Sequence, residues 1–264
     1  MIRLAHLSDL HFGRTDANLL LPLEDELSRA RPDLVVISGD LTLSAREREF
    51  REAAAFIRAL PAPCLVVPGN HDIPSHHALE RLVHPFRRWR SHIGTDLEPT
   101  WIDSRIALVG INTVQRASWR INWSHGRIGR RHLARIEHRL SALPPEPIRV
   151  VVGHHPFFAP DPVLQNRVLR RSDEALRIFR RHRVRLVLAG HLHRAFMHEL
   201  PGNDPAWPLL VVHGGTTIST RLRGESNAFN IIDLETDGTV RVEARVWSDG
   251  GWQGREHPVL PEPS

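Results

Sequence analysis

The chain contains no lysine, no tyrosine and a single cysteine among its 264 residues, and it has no apolar run long enough to cross a bilayer. Each absence excludes something. A membrane-spanning helix needs about 18 or more consecutive apolar residues, and none are present. Cys64 has no second cysteine with which to form an internal disulfide, which agrees with a reducing cytoplasm. Met1–Leu7 enters a strand pattern at once, with no long apolar leader and no small-residue cleavage site, so a cytoplasmic location is expected. All 35 basic residues are arginine. A bias that complete points to codon preference across a genome, not to selection for a binding face. The net charge of +5 and the pI near 11 follow largely from the high pKa of the guanidinium group. The clusters Arg87-Arg88-Trp89-Arg90, Arg170-Arg171 and Arg180-Arg181-His182-Arg183 read as solvated helix faces, so nucleic acid is not the favoured partner. With no internal repeat and no low-complexity linker, one domain over residues 1–257 is expected, followed by a loose Pro-rich tail at 258–264.

What is present is an alternation. Apolar runs at Ile2–Leu7, Leu34–Ser38, Cys64–Val67, Ile106–Ile111, Ile148–Val152 and Val184–Ala189 predict buried strands. Helical spacing separates them at Leu19–Ala30, Ala45–Leu60, His77–Arg90, Arg130–Ala142 and Ser172–Arg181. After Gly190 strands follow strands, at Ala195–Leu200, Leu209–His213, Phe229–Leu234 and Val240–Val246, with Thr236-Asp237-Gly238 as a hairpin turn. Helical crossovers early and hairpins late predict an α/β fold, a four-layer αββα sandwich of two mixed sheets with the functional site on strand-end loops.

Five polar motifs sit where these strands end: Asp9-Leu10-His11, Gly39-Asp40, Gly69-Asn70-His71-Asp72, Gly153-His154-His155-Pro156 and Gly190-His191-Leu192-His193. Strand-end loops are where α/β sheets place ligand groups. The glycines at 39, 69, 153 and 190 are expected to let the backbone turn sharply. Asp9 with His11, and His191 with His193, are separated by one residue, so in extended chain each pair points one way. Asp, His and Asn in this mix suit two adjacent divalent metals, and such a pair hydrolyses phosphate esters. The other histidines carry less. His6, within the first strand, reads as a satisfied core residue; His213 ends a late strand and has a place near the cleft in view.

The order Asp-x-His, Gly-Asp, Gly-Asn-His-Asp, His-x-Pro, Gly-His-x-His resembles the signature of the calcineurin-like metallophosphoesterases. Leu7–Gly13 and the stretch Gly215–Arg221 with Asn227 and Asn230 are similar to the class III cyclic nucleotide phosphodiesterase and glycerophosphodiesterase branch. The resemblance implies one metal held by Asp9, His11, Asp40 and His193, and a second by Asp40, Asn70, His154 and His191. Asp40 would bridge with its two oxygens, and a metal-bridging hydroxide would be the nucleophile. Mixed carboxylate, amide and imidazole ligation without thiolate suits Mn, Fe or Zn. His71, left without a metal, would face the substrate and protonate the leaving oxygen, and Asp72 would fix its orientation or tautomer.

Substrate-side features are open. His155 lies beside a ligand and either supports it or lines the pocket. Arg221 and Arg223 follow the Gly-Thr-Thr stretch and either meet phosphate or stand in solvent. Trp119 and Trp123 with Arg116 and Arg120, between Asn112 and Gly129, either stack on a base or pack as a lid or dimer contact. The expected partner is a small phosphodiester such as a cyclic nucleotide, and a homo-oligomer is left open. A DNA-repair nuclease, a phosphomonoesterase and a scaffold without chemistry are the alternatives. Only about 70 residues follow His193, which argues against the added C-terminal region of the nucleases.

Overall fold

A computed structural model describes residues 1–75, 77–115, 125–159 and 161–256. The expected tail at 258–264 and the residues 116–124 that carry Arg116, Trp119, Arg120 and Trp123 lie outside these. The strands are β1 (Ile2–Leu7), β2 (Leu34–Ile37), β3 (Cys64–Val66), β4 (Thr100–Ile102), β5 (Ile106–Gly110), β6 (Ile148–Val152), β7 (Val184–Ala189), β8 (Phe196–Leu200), β9 (Leu209–His213), β10 (Ala228–Leu234), β11 (Val240–Ser248) and β12 (Gly251–Glu256). The helices are α1 (Leu20–Ala30), α2 (Glu47–Ala59), α3 (Ala78–Val83), α4 (Arg87–His92), α5 (Arg130–Ser141) and α6 (Ser172–Arg181).

The strands form two six-stranded mixed sheets, ordered β12-β11-β10-β1-β2-β3 and β4-β5-β6-β7-β9-β8. In the first sheet β1, β2 and β3 are parallel; in the second β5, β6, β7 and β9 are. Alternation along the strands decides which face each residue covers. Ile2, Leu4, Leu34, Val36, Ile232 and Leu234 turn towards Leu108, Val150, Val152, Leu186 and Val212, an apolar layer between the sheets. Ala5, Leu7, Val35 and Ile37 face outward onto Leu23 and Leu27 of α1 and Phe50, Ala53 and Phe56 of α2. Leu133, Ile136 and Leu140 of α5 and Leu176 and Phe179 of α6 cover the far side of the second sheet. Helix, sheet, sheet, helix is the layering expected. Each large side chain so buried contributes about 1.5–3 kcal/mol.

Three departures from the expected elements have local causes. The helix expected over His77–Arg90 is two short ones, α3 and α4, because Pro85 disfavours helical backbone at His84 and cannot donate. β4 leaves no trace in the sequence because three residues, two of them exposed, show no usable alternation. β12 is silent because Gly251–Glu256 is mostly polar; it is held as an edge strand by pairing with β11, with Trp252 opposite Trp247.

The inter-sheet layer changes character at one end. The rows Ile2–Leu4–His6, Leu34–Val36–Ser38 and Leu234–Ile232–Asn230 each finish on a polar residue. There His6 Nε2 meets Ser38 Oγ at 2.9 Å, and Asn230 Nδ2 donates to the carbonyl of His213 at 3.1 Å. His6 is thus a satisfied core residue at the polar end of an apolar stack. Just beyond it the parallel strands of both sheets end together.

Candidate metal centre

The C-terminal ends of β1, β2, β3, β6 and β7 deliver all five motifs to one place. Asp9 and His11 follow β1, Asp40 follows β2, and Asn70-His71-Asp72 make a single 3-10 turn after β3. His154 and His155 follow β6, and His191 and His193 follow β7. Backbone bonds splice the first two loops: Asp9 N–H to Gly39 O at 3.2 Å and His11 N–H to Asp40 O at 3.0 Å.

The turning is done by the donors themselves. Asp9, His11, Asp40, His191 and His193 all have φ between 48° and 71°, whereas of the four motif glycines only Gly39 has a positive φ, at 93°. This corrects the expectation that glycines make the turns and that the i, i+2 pairs are extended. Asp and His tolerate the left-handed region better than most residues, and each still costs on the order of 1 kcal/mol. Gly69 and Gly190 serve close approach instead. A Cβ on Gly69 would collide with Asp40, and one on Gly190 with Ser8 Oγ and, at 2.8 Å, with Asp9 Oδ2.

Two groups of donors face each other, all of them buried but Asn70. Asp9 Oδ1 lies 3.7 Å from His11 Nε2 and 3.5 Å from His193 Nε2. Asn70 Oδ1 lies 3.2 Å from His154 Nε2 and 3.0 Å from His191 Nδ1. Between them stands Asp40 Oδ2, 3.9 Å from His11 Nε2 and 3.3 Å from His154 Nε2. The other Asp40 oxygen accepts the His71 amide at 2.8 Å. One oxygen, not two, therefore faces both groups.

Partners outside the cluster fix the imidazoles. His11 Nδ1–H donates to Thr42 O at 3.2 Å and His154 Nδ1–H to Ser38 O at 2.8 Å. His193 Nδ1 meets the hydroxyl of Thr216 at 2.7 Å. The two carbonyls fix the Nδ1 protons of His11 and His154, and in all three rings Nε2 points inward, where its lone pair would serve a cation once any second proton has left. Ser8 Oγ–H at 2.7 Å and the His191 amide at 3.0 Å hold Asp9 Oδ2, and Thr217 Oγ1 ties down the Ser8 backbone. The supporting role of Ser8, Ser38, Thr42, Thr216 and Thr217 is not among the sequence expectations.

The charges show what the cluster lacks. Burial alone would push both central carboxyls up, yet His193 and His154 hold Asp9 low and His154 and His71 hold Asp40 well below its ordinary value. Burial pushes His11 down to about 4 and His191 well below its usual range. His154 alone, despite burial, is raised to about 9 by Asp40. Two buried carboxylates thus hold one imidazolium, while among the described residues Asp9 Oδ1, His11 Nε2 and His191 Nε2 have no hydrogen-bond partner. Buried groups without partners are costly. Oxygen and nitrogen donors left bare and net negative fit divalent cations, and three overlapping sets of residues have one donor each within 4.8 Å of the others: Asp9, His11, His193; Asp9, Asp40, His154; and His154, His155, His191.

The remaining predicted residues divide. His155 is buried against His154 and His191, with Nδ1 on the Thr113 hydroxyl at 2.7 Å. His71 Nδ1–H donates to Leu43 O at 2.6 Å, and Arg221 Nη1 donates to His71 Nε2 at 2.7 Å. Asp72 does not orient that ring. Its carboxylate accepts the amides of Leu41, Thr42 and Gly69 and the Thr42 hydroxyl, so it pins the turn after β3 to the loop after β2. Burial and then Asp40 raise its carboxyl to about 7. His213 is fully buried, stacked on Phe196 at 4.2 Å, and belongs to none of the donor groups. Arg223 shares the Arg221 loop, and after burial the charges of both help to hold His193 low. A cavity of about 630 Å³, lined by Phe12, Arg14, Leu20, Glu52 and Phe56, holds none of the donors.

Comparisons with known proteins show the family and the fold. The profile of the family described as calcineurin-like phosphoesterase matches residues 2–195. The chain is 24% identical over 273 aligned positions to the 3',5'-cyclic adenosine monophosphate phosphodiesterase CpdA of Escherichia coli K12, covering 96% of this chain and 92% of that protein. A shorter stretch of 80 positions is 40% identical to the glycerophosphodiester phosphodiesterase GpdQ of Enterobacter lignolyticus, covering 26% of this chain and 29% of that one. In fold the chain is similar to a dimetal phosphatase from Danio rerio, with TM-score 0.64, 14% identity and coverage of 97% and 99%. It is also similar to the purple acid phosphatase PPD1 of yellow lupin, with TM-score 0.70, 14% identity, 96% of this chain and 52% of that one.

Proposed function

The chain belongs to the calcineurin-like phosphoesterase family, and from that premise we propose that it hydrolyses small phosphodiesters at a centre built for two metal ions. The observation that carries the reading is Asp40 Oδ2, which faces His11 on one side and His154 on the other. Asp9, His11 and His193 with Asp40 would hold one cation, and Asn70, His154 and His191 with Asp40 the other. Bound there, Mn, Fe or Zn ions supply Lewis acidity towards phosphoryl oxygens and a water acidic enough to attack at neutral pH. The protein's own part is orientation. The carbonyls of Ser38 and Thr42 and the Thr216 hydroxyl select the imidazole tautomers, Ser8 points Asp9 Oδ1 inward, and Asp72 closes the loops behind Asp40.

Cyclic nucleotides and glycerol phosphodiesters are the substrate classes proposed, in line with the named activities of the relatives over most of this chain's length and over part of it. No helix among the described residues is long and apolar enough to cross a membrane, and we place the reaction in the cytoplasm. The test is turnover of Mn-loaded protein on bis-(p-nitrophenyl) phosphate beside p-nitrophenyl phosphate, with and without chelator. Chelator-sensitive preference for the diester is expected. Preference for the monoester would overturn the proposal.

A further inference from the structure

His71 sits where a proton donor to the leaving oxygen would be sought, and its hydrogen bonds argue against that role. Its Nδ1 faces a carbonyl oxygen, Leu43 O, at 2.6 Å. A carbonyl only accepts, so Nδ1 carries the proton. Its Nε2 faces Arg221 Nη1 at 2.7 Å. A guanidinium has five N–H donors and no acceptor, so Nε2 is the acceptor in this contact. Both ring nitrogens are committed, Nδ1 as donor to Leu43 O and Nε2 as acceptor from Arg221.

The backbone around the pair is fixed from both sides. The His71 amide donates to Asp40 Oδ1 at 2.8 Å, and Thr42 Oγ1–H donates to the His71 carbonyl at 2.9 Å. The Arg221 amide donates to Ser219 Oγ at 3.1 Å. Ser219 Oγ–H in turn donates to Arg14 O at 3.0 Å, and the Thr220 amide donates to the same carbonyl at 3.0 Å. The His71 ring packs edge-on against His11 at 4.9 Å. Among the described residues Arg221 has no carboxylate partner, although ion pairs hold many of the other arginines. A planar cation is thus held at the edge of the centre by an imidazole, with further donors on the same fork.

On the reading of the centre proposed above, we infer that Arg221 is the catalytic cation, donating to the phosphoryl oxygens as charge builds there, and that His71 is a positioning residue which holds it. A guanidinium fork matches phosphate oxygens in plane and spacing. Losing one preorganised donor of this kind typically slows turnover by about 10²–10³. The two roles for His71 differ in how the rate depends on the leaving group. A general acid matters for an alkoxide, which needs a proton to leave, and little for p-nitrophenolate. A residue that holds Arg221 matters equally for both.

The experiment compares His71→Ala, His71→Gln, Arg221→Met and the double variant His71→Ala/Arg221→Met, each Mn-loaded. Their rates are measured on bis-(p-nitrophenyl) phosphate and on a glycerol phosphodiester, with metal content and melting as controls. Arg221→Met is expected to lower kcat on both substrates by about 10²–10³, with metal content unchanged. His71→Ala should lose nearly as much on both, the double variant should lose no more than Arg221→Met, and His71→Gln, which restores an acceptor facing Arg221, should recover part of the loss. A loss in His71→Ala confined to the glycerol substrate, with Arg221→Met near wild type, would overturn the inference and restore His71 as proton donor. Binding of inorganic phosphate to the Mn-loaded protein, by calorimetry, separates this failure from failure of the function itself. If the wild type turns over neither diester, Arg221→Met should still weaken phosphate at least 10-fold and His71→Ala should follow it; unchanged phosphate affinity in both variants would overturn the inference.

Discussion

Thr216 offers the sharpest test of how this centre is tuned. His11 and His154 donate Nδ1–H to backbone carbonyls, which no substitution removes, but the partner of His193 Nδ1 is a side chain, the Thr216 hydroxyl at 2.7 Å, which must accept once Nε2 takes a cation. Thr216→Val keeps the shape and removes the acceptor. His193 is buried beside Asp9, with Nε2 3.5 Å from Asp9 Oδ1. In the metal-free variant the ring proton moves to Nε2 and turns towards that carboxylate. Binding a cation then requires the proton back on Nδ1, where it faces a methyl group. An unsatisfied buried donor costs about 1–3 kcal/mol, so affinity at the Asp9–His11–His193 position should fall by about 5–150-fold, since 1.4 kcal/mol is tenfold. The Asn70–His154–His191 position should hardly change. Competition of Mn against a chelating dye, with two sites fitted, reads both constants. Thr216→Ser should restore the first. The reasoning fails if Thr216→Val binds both ions as the wild type does, if it loses both in parallel, or if serine is no better than valine.

Other substitutions probe the frame. Asp40→Ala removes the oxygen that faces both donor groups, and elemental analysis should find fewer than two metals per chain together with lost diester turnover. Two retained metals would refute the bridging assignment. Gly190→Ala places a methyl against Ser8 Oγ and 2.8 Å from Asp9 Oδ2; it should lower melting by about 1–3 kcal/mol of stability and weaken the metal beside Asp9, whereas an unchanged melt would mean the loop relaxes freely. His213 is fully buried, and burial pushes its pKa down to about 4, offset only in part by the backbone at Gly190 and Phe158 and by Asp9. A depressed histidine contributes stability above its unfolded pKa near 6.5 and loses it as pH falls through 4, about 3 kcal/mol for some two and a half units. His213→Phe, measured in chelator against the wild type, should therefore flatten the fall in stability between pH 6.5 and 4; parallel curves would show that His213 does not titrate there.

The architecture was legible because burial leaves a periodic trace. Ile2–Leu7, Ile148–Val152 and Val184–Ala189 match the expected strands to their end residues, since a strand buried on both faces is mostly apolar and one arginine near its start does not hide the run. The motifs at strand ends were legible for a related reason: polar residues directly after such runs cannot continue the core, so they stand where the chain turns and a ligand can be met. The backbone conformation was not legible. That Asp9, His11, Asp40, His191 and His193 turn the chain themselves, while Gly69 and Gly190 make room for neighbours, depends on which loop lies against which, and nothing local in the sequence encodes it. The same holds for Thr216 and Arg221. Both lie beyond residue 195, where the family match ends, and each meets its histidine only because β9 runs parallel to β7 and its loop returns over β1.

The strain and the charge at the centre lead to one further expectation. Five donors hold left-handed backbone, two buried carboxylates share one imidazolium, and three donor atoms have no partner among the described residues. All three features disfavour the metal-free fold, and all three are relieved or offset by cations, so metal binding must contribute to folding as well as to chemistry. By mass action alone, each site filled at 100 times its Kd adds about 2.7 kcal/mol, or roughly 5–10 °C for a chain of this size. Melting in Mn and in chelator should differ by at least that much, and the difference should shrink in Asp40→Ala, which has lost half the charge. If the wild type melts at the same temperature in both, the centre does not bind metal tightly enough to matter. In that case the packing of the two sheets alone would have to bear the cost of these strained loops.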